Sequence, residues 1–376
     1  MCPMAFSDRD TDRDGPHLFN IDLHVSVIAD VRVQLERRGV SLTDWSVSRH
    51  TWVLGRKRDP VAVVNELTFL DFEPRMVERF QDAYGSYLRS FKGFVATHAP
   101  CFSLLYRGLG GPVLAICSTR YEWPFTHDAK RWAWLDASLA QGLDEGWLTL
   151  AANNRADADY VENYTGLKPI GIPSACSYID PAYTGRQPTV VVSAPTETYA
   201  AQICARLKQP AAPLRTALGR RFTWAQLYDQ RAIVYIPYNV SIMSLLEHYS
   251  ACAPIYLPTR AFLTKLRATD PEILASISFS QVTGKRAAPP VRAGAIDLND
   301  VRDPQVIDWY LDRADFYDVE WMPRIRQFES WSHLDHMLAT DDPAAISAAM
   351  AAEKPDRLAR IAALWDGLDW LERVAR

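Results

Sequence analysis

The sequence predicts an α/β protein with two Rossmann-like domains that face a cleft, followed by a helical C-terminal extension. Three observations support this fold class. Short apolar, β-branched runs alternate with helical patterns, which is typical of βα units and parallel sheets. The chain has 376 residues, more than one hydrophobic core usually supports. A turn-rich stretch, residues 168–188, separates two such alternating series.

The first series, residues 17–167, predicts the N-terminal Rossmann-like domain. It begins with a strand at 17–22 and an amphipathic helix at 25–38, which Gly39 ends. The other predicted strands are 42–47, 93–97, 113–118 and 147–152, and the other predicted helices are 76–91 and 130–139.

The turn-rich residues 168–188 predict a linker, and residues 189–290 a smaller C-terminal Rossmann-like domain. Residues 291–376 predict a helical extension that packs across both domains, with an oligomer contact as the second interpretation. The strands predicted in this half are 189–194, 232–236 and 254–257, and the helices are 198–208, 242–251, 260–268, 307–313, 324–339 and 357–374.

Composition excludes several classes of protein. Hydrophobic residues make up 48% of the chain and charged residues 23%, as in ordinary globular proteins. The chain has 41 Lys and Arg against 45 Asp and Glu, so its net charge is −4. This balance does not favour a nucleic-acid-binding protein. Residues 1–16 predict a disordered polar arm without a signal core. No apolar run is long enough to span a membrane, and six scattered cysteines favour a reducing cytoplasm.

Several catalytic fingerprints are missing from the sequence. There is no G-x-G-x-x-G after the first strand, no G-x-x-x-x-G-K-[ST], no H-E-x-x-H and no G-x-S-x-G. Dinucleotide oxidoreductases, P-loop NTPases, zincins and α/β-hydrolases are therefore disfavoured. Two α/β units without these motifs indicate a ligand that lies between the domains.

The most informative segment is residues 236–258, IPYNVSIMSLLEHYSACAPIYLP. Apolar residues at 242, 245, 246 and 249 follow the i, i+3, i+4, i+7 spacing of a helix that faces the core. Glu247 lies off that stripe, so its side chain either faces a cleft or is a solvated surface carboxylate. The loop at 237–241 precedes the helix, and the free N–H groups of a helix start suit a phosphate.

This segment resembles the nucleotide-binding segment of GT-B glycosyltransferases, which runs E-(small)-x-A-x-G-x-P before an apolar strand. The resemblance covers about 25 residues and implies that Glu247 accepts hydrogen bonds from both ribose hydroxyls of a sugar-nucleotide donor. Retaining members often have a second glutamate eight positions earlier, where this chain has Asn239. Ala253 stands where the family usually has glycine.

The first βα junction, FNIDLHV, offers candidate catalytic residues. Asp22 and His24 lie at the carboxyl end of the first strand, where open α/β sheets bind ligands. An imidazole can take a proton from an acceptor hydroxyl, and inverting GT-B enzymes resemble this chain in placing a base in that loop. Asp22 could itself be the base. The structural alternative is a helix-capping aspartate beside an exposed histidine.

Other candidates follow the same rule of strand ends. His98, Arg120 and Trp45 are candidate acceptor or cleft residues. The candidate donor-binding residues besides Glu247 are Asn239, Ser241, Ser193, Thr196 and Arg215.

Three metal-like patterns are interpreted as structural, and no metal site is predicted. Asp157 and Asp159 spell D-x-D but lie at a predicted helix start, where acidic residues suit the dipole. Residues 10–15 resemble half of a calcium loop, but position twelve is Ile21. His333 and His336 share a helix face without a third ligand.

The sequence thus predicts a cytoplasmic glycosyltransferase that moves a sugar from a nucleotide-sugar to a hydroxyl acceptor, with inversion and without a metal. UDP- or GDP-sugars are the expected co-substrates, with no covalently bound cofactor. A sugar-nucleotide epimerase of the same fold and a non-catalytic binding or assembly protein are the alternatives. The acceptor stays open among glycan, protein, metabolite and modified DNA base, and the C-terminal helices could mediate an oligomer.

Overall fold

A computed structural model describes residues 15–55, 57, 59, 61–290 and 292–376. Residues 1–14 of the predicted polar arm lie outside the described residues, and so does the calcium-loop pattern at 10–14. The described chain folds into two α/β domains and a largely helical extension.

Strands and helices alternate along most of the described chain. The strands are β1 (His17–Asp22), β2 (Ser41–Ser46), β3 (Gly93–His98), β4 (Val113–Cys117), β5 (Leu148–Ala152), β6 (Ile170–Gly171), β7 (Val190–Ser193), β8 (Ala211–Pro213), β9 (Ala232–Tyr235), β10 (Ile255–Pro258) and β11 (Arg326–Phe328). The α-helices are α1 (Val25–Glu36), α2 (Pro74–Leu88), α3 (Ala129–Asp144), α4 (Arg155–Thr165), α5 (Glu197–Cys204), α6 (Leu214–Leu218), α7 (Trp224–Tyr228), α8 (Met243–Ser250), α9 (Arg260–Thr269), α10 (Phe279–Thr283), α11 (Pro304–Asp312), α12 (Trp331–Thr340), α13 (Pro343–Asp366) and α14 (Asp369–Ala375).

The N-terminal sheet has the strand order β2-β1-β3-β4-β5-β6, and its recorded pairings are parallel. Ile21 of β1 lies beside Trp45 on one side and Ala96 on the other. The chain runs from β1 to β2 and then crosses to β3 on the opposite side of β1. The strand order therefore reverses at β1, which opens a crevice at the carboxyl ends of β1 and β3.

The C-terminal sheet has the order β11-β10-β9-β7-β8 and is also parallel. Its order reverses at β7, because β8 and β9 lie on opposite sides of that strand. One apolar cluster runs through both domains, from Phe19 and Phe94 in the first to Val191 and Leu257 in the second. The two domains therefore share a packed interface.

The end of the chain returns to the N-terminal domain. The first half of α13 touches the C-terminal domain, where Lys354 Nζ donates to the Ser250 carbonyl at 2.6 Å. In the second half, the Ala362 carbonyl accepts from Arg38 Nη2 at 2.8 Å. Trp365 and Trp370 are buried in the apolar layer beneath the N-terminal sheet. The extension thus packs across both domains.

Two predicted helices differ from the structure. The range 324–339 is a strand, β11, followed by helix α12, because residues 326–328 pair with β10 and Ser330 caps the helix. The helix predicted at 357–374 is the end of α13 followed by α14, with Gly367 between them. Pro355 lies inside α13, so the pattern before it did not look helical.

The predicted fold class is confirmed by the two parallel sheets. Strand β6 lies within the predicted linker 168–188 and pairs with β5. Strand β11 brings part of the predicted extension into the C-terminal sheet. Where the domains begin and end stays a prediction. Among the helices of the described chain, none is both long and apolar enough to cross a bilayer.

Candidate functional site

A cavity of ≈ 430 Å³ lies between the two domains. One wall is formed by residues that follow strands β1 to β5, including Leu23–Ser26, His98 and Asn153. The other wall is the loop after β9 and the first half of α8, residues 238–247, joined by Asp315. Both sheets therefore direct their carboxyl ends at one cavity, whose size is that of a site for a nucleotide or similar molecule.

Three histidines, His24, His50 and His98, line the N-terminal wall. The rings of His24 and His98 lie 5.3 Å apart between centroids. The Nδ1 atoms of both are buried, and neither has a hydrogen-bond partner among the described residues. His98 has φ +68°, a left-handed conformation that is uncommon and costly outside glycine. Strained backbone and incomplete hydrogen bonding are typical of a ligand site.

Burial keeps the imidazoles of His24 and His98 neutral. It lowers the pKa of His24 to about 4, and the neighbouring His50 adds to the effect. Burial also lowers the pKa of His98 to about 3, helped by His24. At pH 7 both rings are uncharged, and burial makes each a weaker base than an exposed imidazole.

Glu247 of α8 lines the opposite wall and is buried. Tyr178, from the segment that joins the domains, donates its hydroxyl to Glu247 Oε1. Burial raises the pKa of Glu247, while the hydroxyls of Tyr178 and Ser26 oppose that rise by stabilising the carboxylate. The carboxylate therefore faces the cavity with protein hydroxyls beside it.

The first turn of α8 has backbone N–H groups that no side-chain cap accepts. Its N-cap, Ile242, has an apolar side chain that accepts no hydrogen bond from the first turn. Residues 238–246 line the cavity, so this helix start faces the same space. The N-terminal end of a helix carries a partial positive charge that suits an anion. No Lys or Arg occurs among the described residues of the cavity lining.

A buried polar network fixes this loop from the other domain. Arg120 forms an ion pair with Asp157, and both side chains are 1% exposed or less. Arg120 also donates to Asn239 Oδ1 at 2.8 Å and to the Ile277 carbonyl at 2.9 Å. Ser241 Oγ donates to Asp157 Oδ2 at 2.6 Å. The N-terminal domain thus holds the 239–241 loop of the C-terminal domain in place.

Five of the predicted site residues meet at the cavity. They are His24, His98, Asn239, Ser241 and Glu247. Asn239 and Ser241 take part in the buried network as well as in the lining, so a ligand would contact them only in part.

The other predicted residues do not line the cavity. Asp22 is the last residue of β1, where it is buried and pairs with Ser46 of β2. His24, two residues later, lines the cavity. Trp45 packs in the core with its ring stacked on Tyr87 at 5.6 Å. The interpretation of Trp45 as a cleft residue is therefore corrected.

Arg120 and three donor-loop candidates are corrected in the same way. Arg120 is buried in the interdomain network rather than open to an acceptor. Thr196 caps α5 by accepting from the Tyr199 N–H at 3.1 Å, and the Ser193 carbonyl accepts from Ile236 N–H at 2.8 Å. Arg215 is exposed on α6. None of these four residues is part of the cavity lining.

The sequence did not indicate Ser26 and Asp315, which line the cavity, or Tyr178, which lies outside the lining and donates to Glu247. Tyr178 lies in a turn-rich segment without periodicity, so no pattern could point to its partner. Asp315 lies in a short 3₁₀ helix, and burial raises its pKa to about 7. A carboxyl group with that pKa, facing a cavity, is a second candidate acid or base.

Both carboxylates of the D-x-D pattern are engaged in ion pairs. Asp157 is paired with Arg120, and Asp159 with Arg313 at 2.7 Å. Across the part of the chain that the structure describes, no group of three His, Cys, Asp or Glu side chains is placed to hold a metal ion.

Comparison with known proteins gives a likeness at the level of structure. No protein-family model matches the chain, and no curated protein matches it in sequence. The structure of the glycotransferase of kitacinnamycin is 12% identical, with 96% of this chain and 100% of that chain covered and a TM-score of 0.46. The spinosyn forosaminyltransferase is 13% identical, with 93% and 100% covered and a TM-score of 0.47. The S. aureus MnaA–UDP co-structure is 9% identical, with 80% and 91% covered and a TM-score of 0.38.

The architecture of the chain defines its fold class. Two Rossmann-like domains face one cavity with the carboxyl ends of their parallel sheets, and a C-terminal helix returns to the first domain. This is the GT-B arrangement that the segment around Glu247 implied. Identities of 9–13% establish the activity of none of these proteins for this chain.

Proposed function

We propose that the chain is a glycosyltransferase that takes a sugar from a nucleotide-sugar and passes it to a hydroxyl acceptor with inversion. The observation that carries the proposal is the shared cavity, with a neutral histidine on one wall and a buried carboxylate beside an uncapped helix start on the other. An acceptor on the first wall and a donor on the second would meet within it.

The donor is proposed to bind the C-terminal wall. Glu247 would accept a hydrogen bond from the pentose, and the first N–H groups of α8 would receive the diphosphate. Because the described lining has no Lys or Arg, these backbone donors, together with hydroxyl groups of the lining such as those of Thr119 and Ser244, would stabilise the leaving phosphate. This arrangement needs no metal.

His24 is proposed to be the base. As the acceptor oxygen forms its bond to the anomeric carbon, the bond from that carbon to the diphosphate breaks and the acceptor proton passes to the imidazole. The diphosphate leaves with the electron pair. Attack from the face opposite the leaving group gives inversion. Enclosure between the domains keeps water from competing for the sugar.

Nucleotide binding tests the proposal directly. Calorimetric titration of the full chain with a panel of nucleoside diphosphates should show binding of at least one member. In the Glu247→Gln variant we expect affinity to fall about ten- to a hundredfold, because a charged acceptor of the pentose hydroxyl is replaced by a neutral amide. Glu78→Gln, at an exposed position of α2 outside the cavity, is the matched control and should bind like wild type.

The outcomes separate the alternatives. Binding that Glu247→Gln leaves unchanged would move the donor site elsewhere. A donor that is isomerised without any acceptor would identify an epimerase of the same fold. If no nucleotide of the panel binds, the proposal fails and a non-catalytic binding or assembly role takes its place.

A further inference from the structure

A second, much smaller cavity lies at the C-terminal end of α8, beside helix α13. Its volume is ≈ 20 Å³, which leaves room for about one water-sized particle. The charged side chains of its lining are one acidic group, Glu353, and three basic groups, Lys354, Arg357 and Arg360. None of them lines the candidate functional site, so the two cavities are separate.

Arg357 is the most deeply buried of these charged groups, with 4% of its surface exposed. Its Nε and Nη2 atoms are buried, and neither has a hydrogen-bond partner among the residues that the structure describes. The guanidinium carbon lies 4.9 Å from the centroid of the Tyr249 ring. An aromatic face attracts a cation but carries no net charge, so it does not neutralise Arg357.

The buried charge of Arg357 needs a counter-ion. A buried lysine or histidine can lose its proton, whereas a guanidinium stays protonated in proteins. Because an isolated buried charge is very costly, buried charges in native structures are paired.

The two carboxylates nearest in the fold are engaged elsewhere. Glu353 Oε1 accepts from Arg324 Nε at 2.8 Å, and the ion pair of Glu353 is with that residue. Asp30, which interacts with Arg357 electrostatically, accepts the Ala175 N–H at 3.0 Å. Within the described chain, Arg357 forms no ion pair with either of them. Glu353 Oε2 is buried without a described partner, so a water between it and Arg357 is the alternative occupant of the cavity.

The neighbouring cations favour an anion over water. Lys354 Nζ donates to the Ser250 carbonyl at 2.6 Å, and Arg360 Nη2 donates to the Glu320 carbonyl at 3.3 Å. Both partners are uncharged, and three cations therefore surround a cavity with a single carboxylate. We propose that this cavity binds a small inorganic anion, chloride, as the counter-ion of Arg357. The proposal does not depend on the proposed function.

Chloride should stabilise the folded chain, because it would contact α13 and the end of α8 together. Thermal unfolding of the full chain is compared in sodium chloride and in sodium methanesulfonate, whose anion is too large for the cavity, at equal ionic strength. We expect Tm to be a few degrees higher in chloride and to rise with the chloride fraction until the site is saturated. Broadening of the ³⁵Cl NMR resonance by the protein reports the binding directly.

Arg357→Met removes the charge and keeps an apolar chain in its place, so both chloride effects should disappear. Arg267→Met is the matched control. Arg267 is partly buried and has no carboxylate partner among the described residues, but it donates to the Ile273 carbonyl at 2.6 Å and the Val301 carbonyl at 3.2 Å. With those donors satisfied by the protein, the control should respond to chloride like wild type.

Lys354→Glu keeps the test decisive if Arg357→Met does not fold. Position 354 is only partly buried, and a carboxylate three residues before Arg357 on the same helix is placed to pair with it. A counter-ion supplied by the protein should displace chloride, so the dependence of Tm on chloride should be lost in this variant too.

A wild-type Tm that is equal in the two salts, without broadening of the ³⁵Cl resonance, would overturn the inference and leave water as the partner of Arg357. Chloride effects that persist in folded Arg357→Met or in Lys354→Glu would place the ion elsewhere and overturn it as well. Loss of the effects in these variants and their retention in Arg267→Met supports it. Nucleotide binding enters none of these measurements, so the proposed function is tested separately.

Discussion

We expect the His24→Ala variant to transfer sugar about a hundred- to ten-thousandfold more slowly than wild type, the usual cost of losing a general base. His24 lines the cavity, and its ring is neutral at pH 7 because burial lowers its pKa to about 4. The substitution removes the proton acceptor but none of the groups proposed to bind the donor. The ratio of kcat values between variant and wild type measures the effect, while the nucleotide Kd should change little.

Asp315→Asn is the control that tests the choice of base. Asp315 faces the same cavity, and burial raises its pKa to about 7. If His24 is the base, wild-type kcat/KM should fall as pH drops through about 4, where the imidazole of the free enzyme takes up a proton. A fall centred near pH 7, together with a large loss in Asp315→Asn and little in His24→Ala, would assign the base to Asp315.

We expect Asp157→Asn to lower the free energy of unfolding by about 3–5 kcal/mol, because it leaves the buried Arg120 guanidinium without its counter-ion. The carbonyl groups that Arg120 also contacts, on Asn239 and Ile277, are neutral and compensate only in part. Urea unfolding followed by circular dichroism measures the difference. Since the same network holds the 239–241 loop, nucleotide affinity should also fall.

The neighbouring position provides the matched substitution. Asp159 lies on the same helix and pairs with Arg313, but both side chains are about one-third exposed, at 38% and 30%. A pair so accessible to water contributes about 0–1 kcal/mol to stability. The free energy of unfolding of Asp159→Asn should therefore be close to that of wild type. Equal and small effects of the two substitutions on the free energy of unfolding would show that the buried pair contributes little to stability.

Most of the fold was predictable because the pattern of apolar residues reports burial. The strands of the N-terminal domain agree with the structure to within a few residues, as at β1 and β4, since a parallel strand covered on both faces has to be apolar. The prediction was wrong at β11, where pairing with a neighbouring strand decides the structure. The residues of β11, Arg326–Phe328, have no strand pattern and become extended because β10 offers an open edge.

The same reason explains which residues of the candidate site the sequence could indicate. The position of His24 and Glu247 at the cavity could be predicted because each lies next to a regular element whose face could be worked out; their roles stay a proposal. Trp45 and Arg120 were misassigned because an aromatic ring or a guanidinium at a strand end looks the same whether it faces the core, a counter-ion or a ligand. Tyr178 lies 69 positions before Glu247, and only the folded chain brings them together.

The chain crosses between the domains after β6 and again along α13. The described residues between α10 and α11 also contact the N-terminal domain: the Thr126 carbonyl accepts from the Ala288 N–H at 2.8 Å, and Asn299 Nδ2 donates to the Tyr160 hydroxyl at 3.0 Å. A rotation of one domain against the other would have to break hydrogen bonds at each of these places. The two walls of the cavity are therefore held at a fixed separation, so that a ligand meets a site whose shape is already formed.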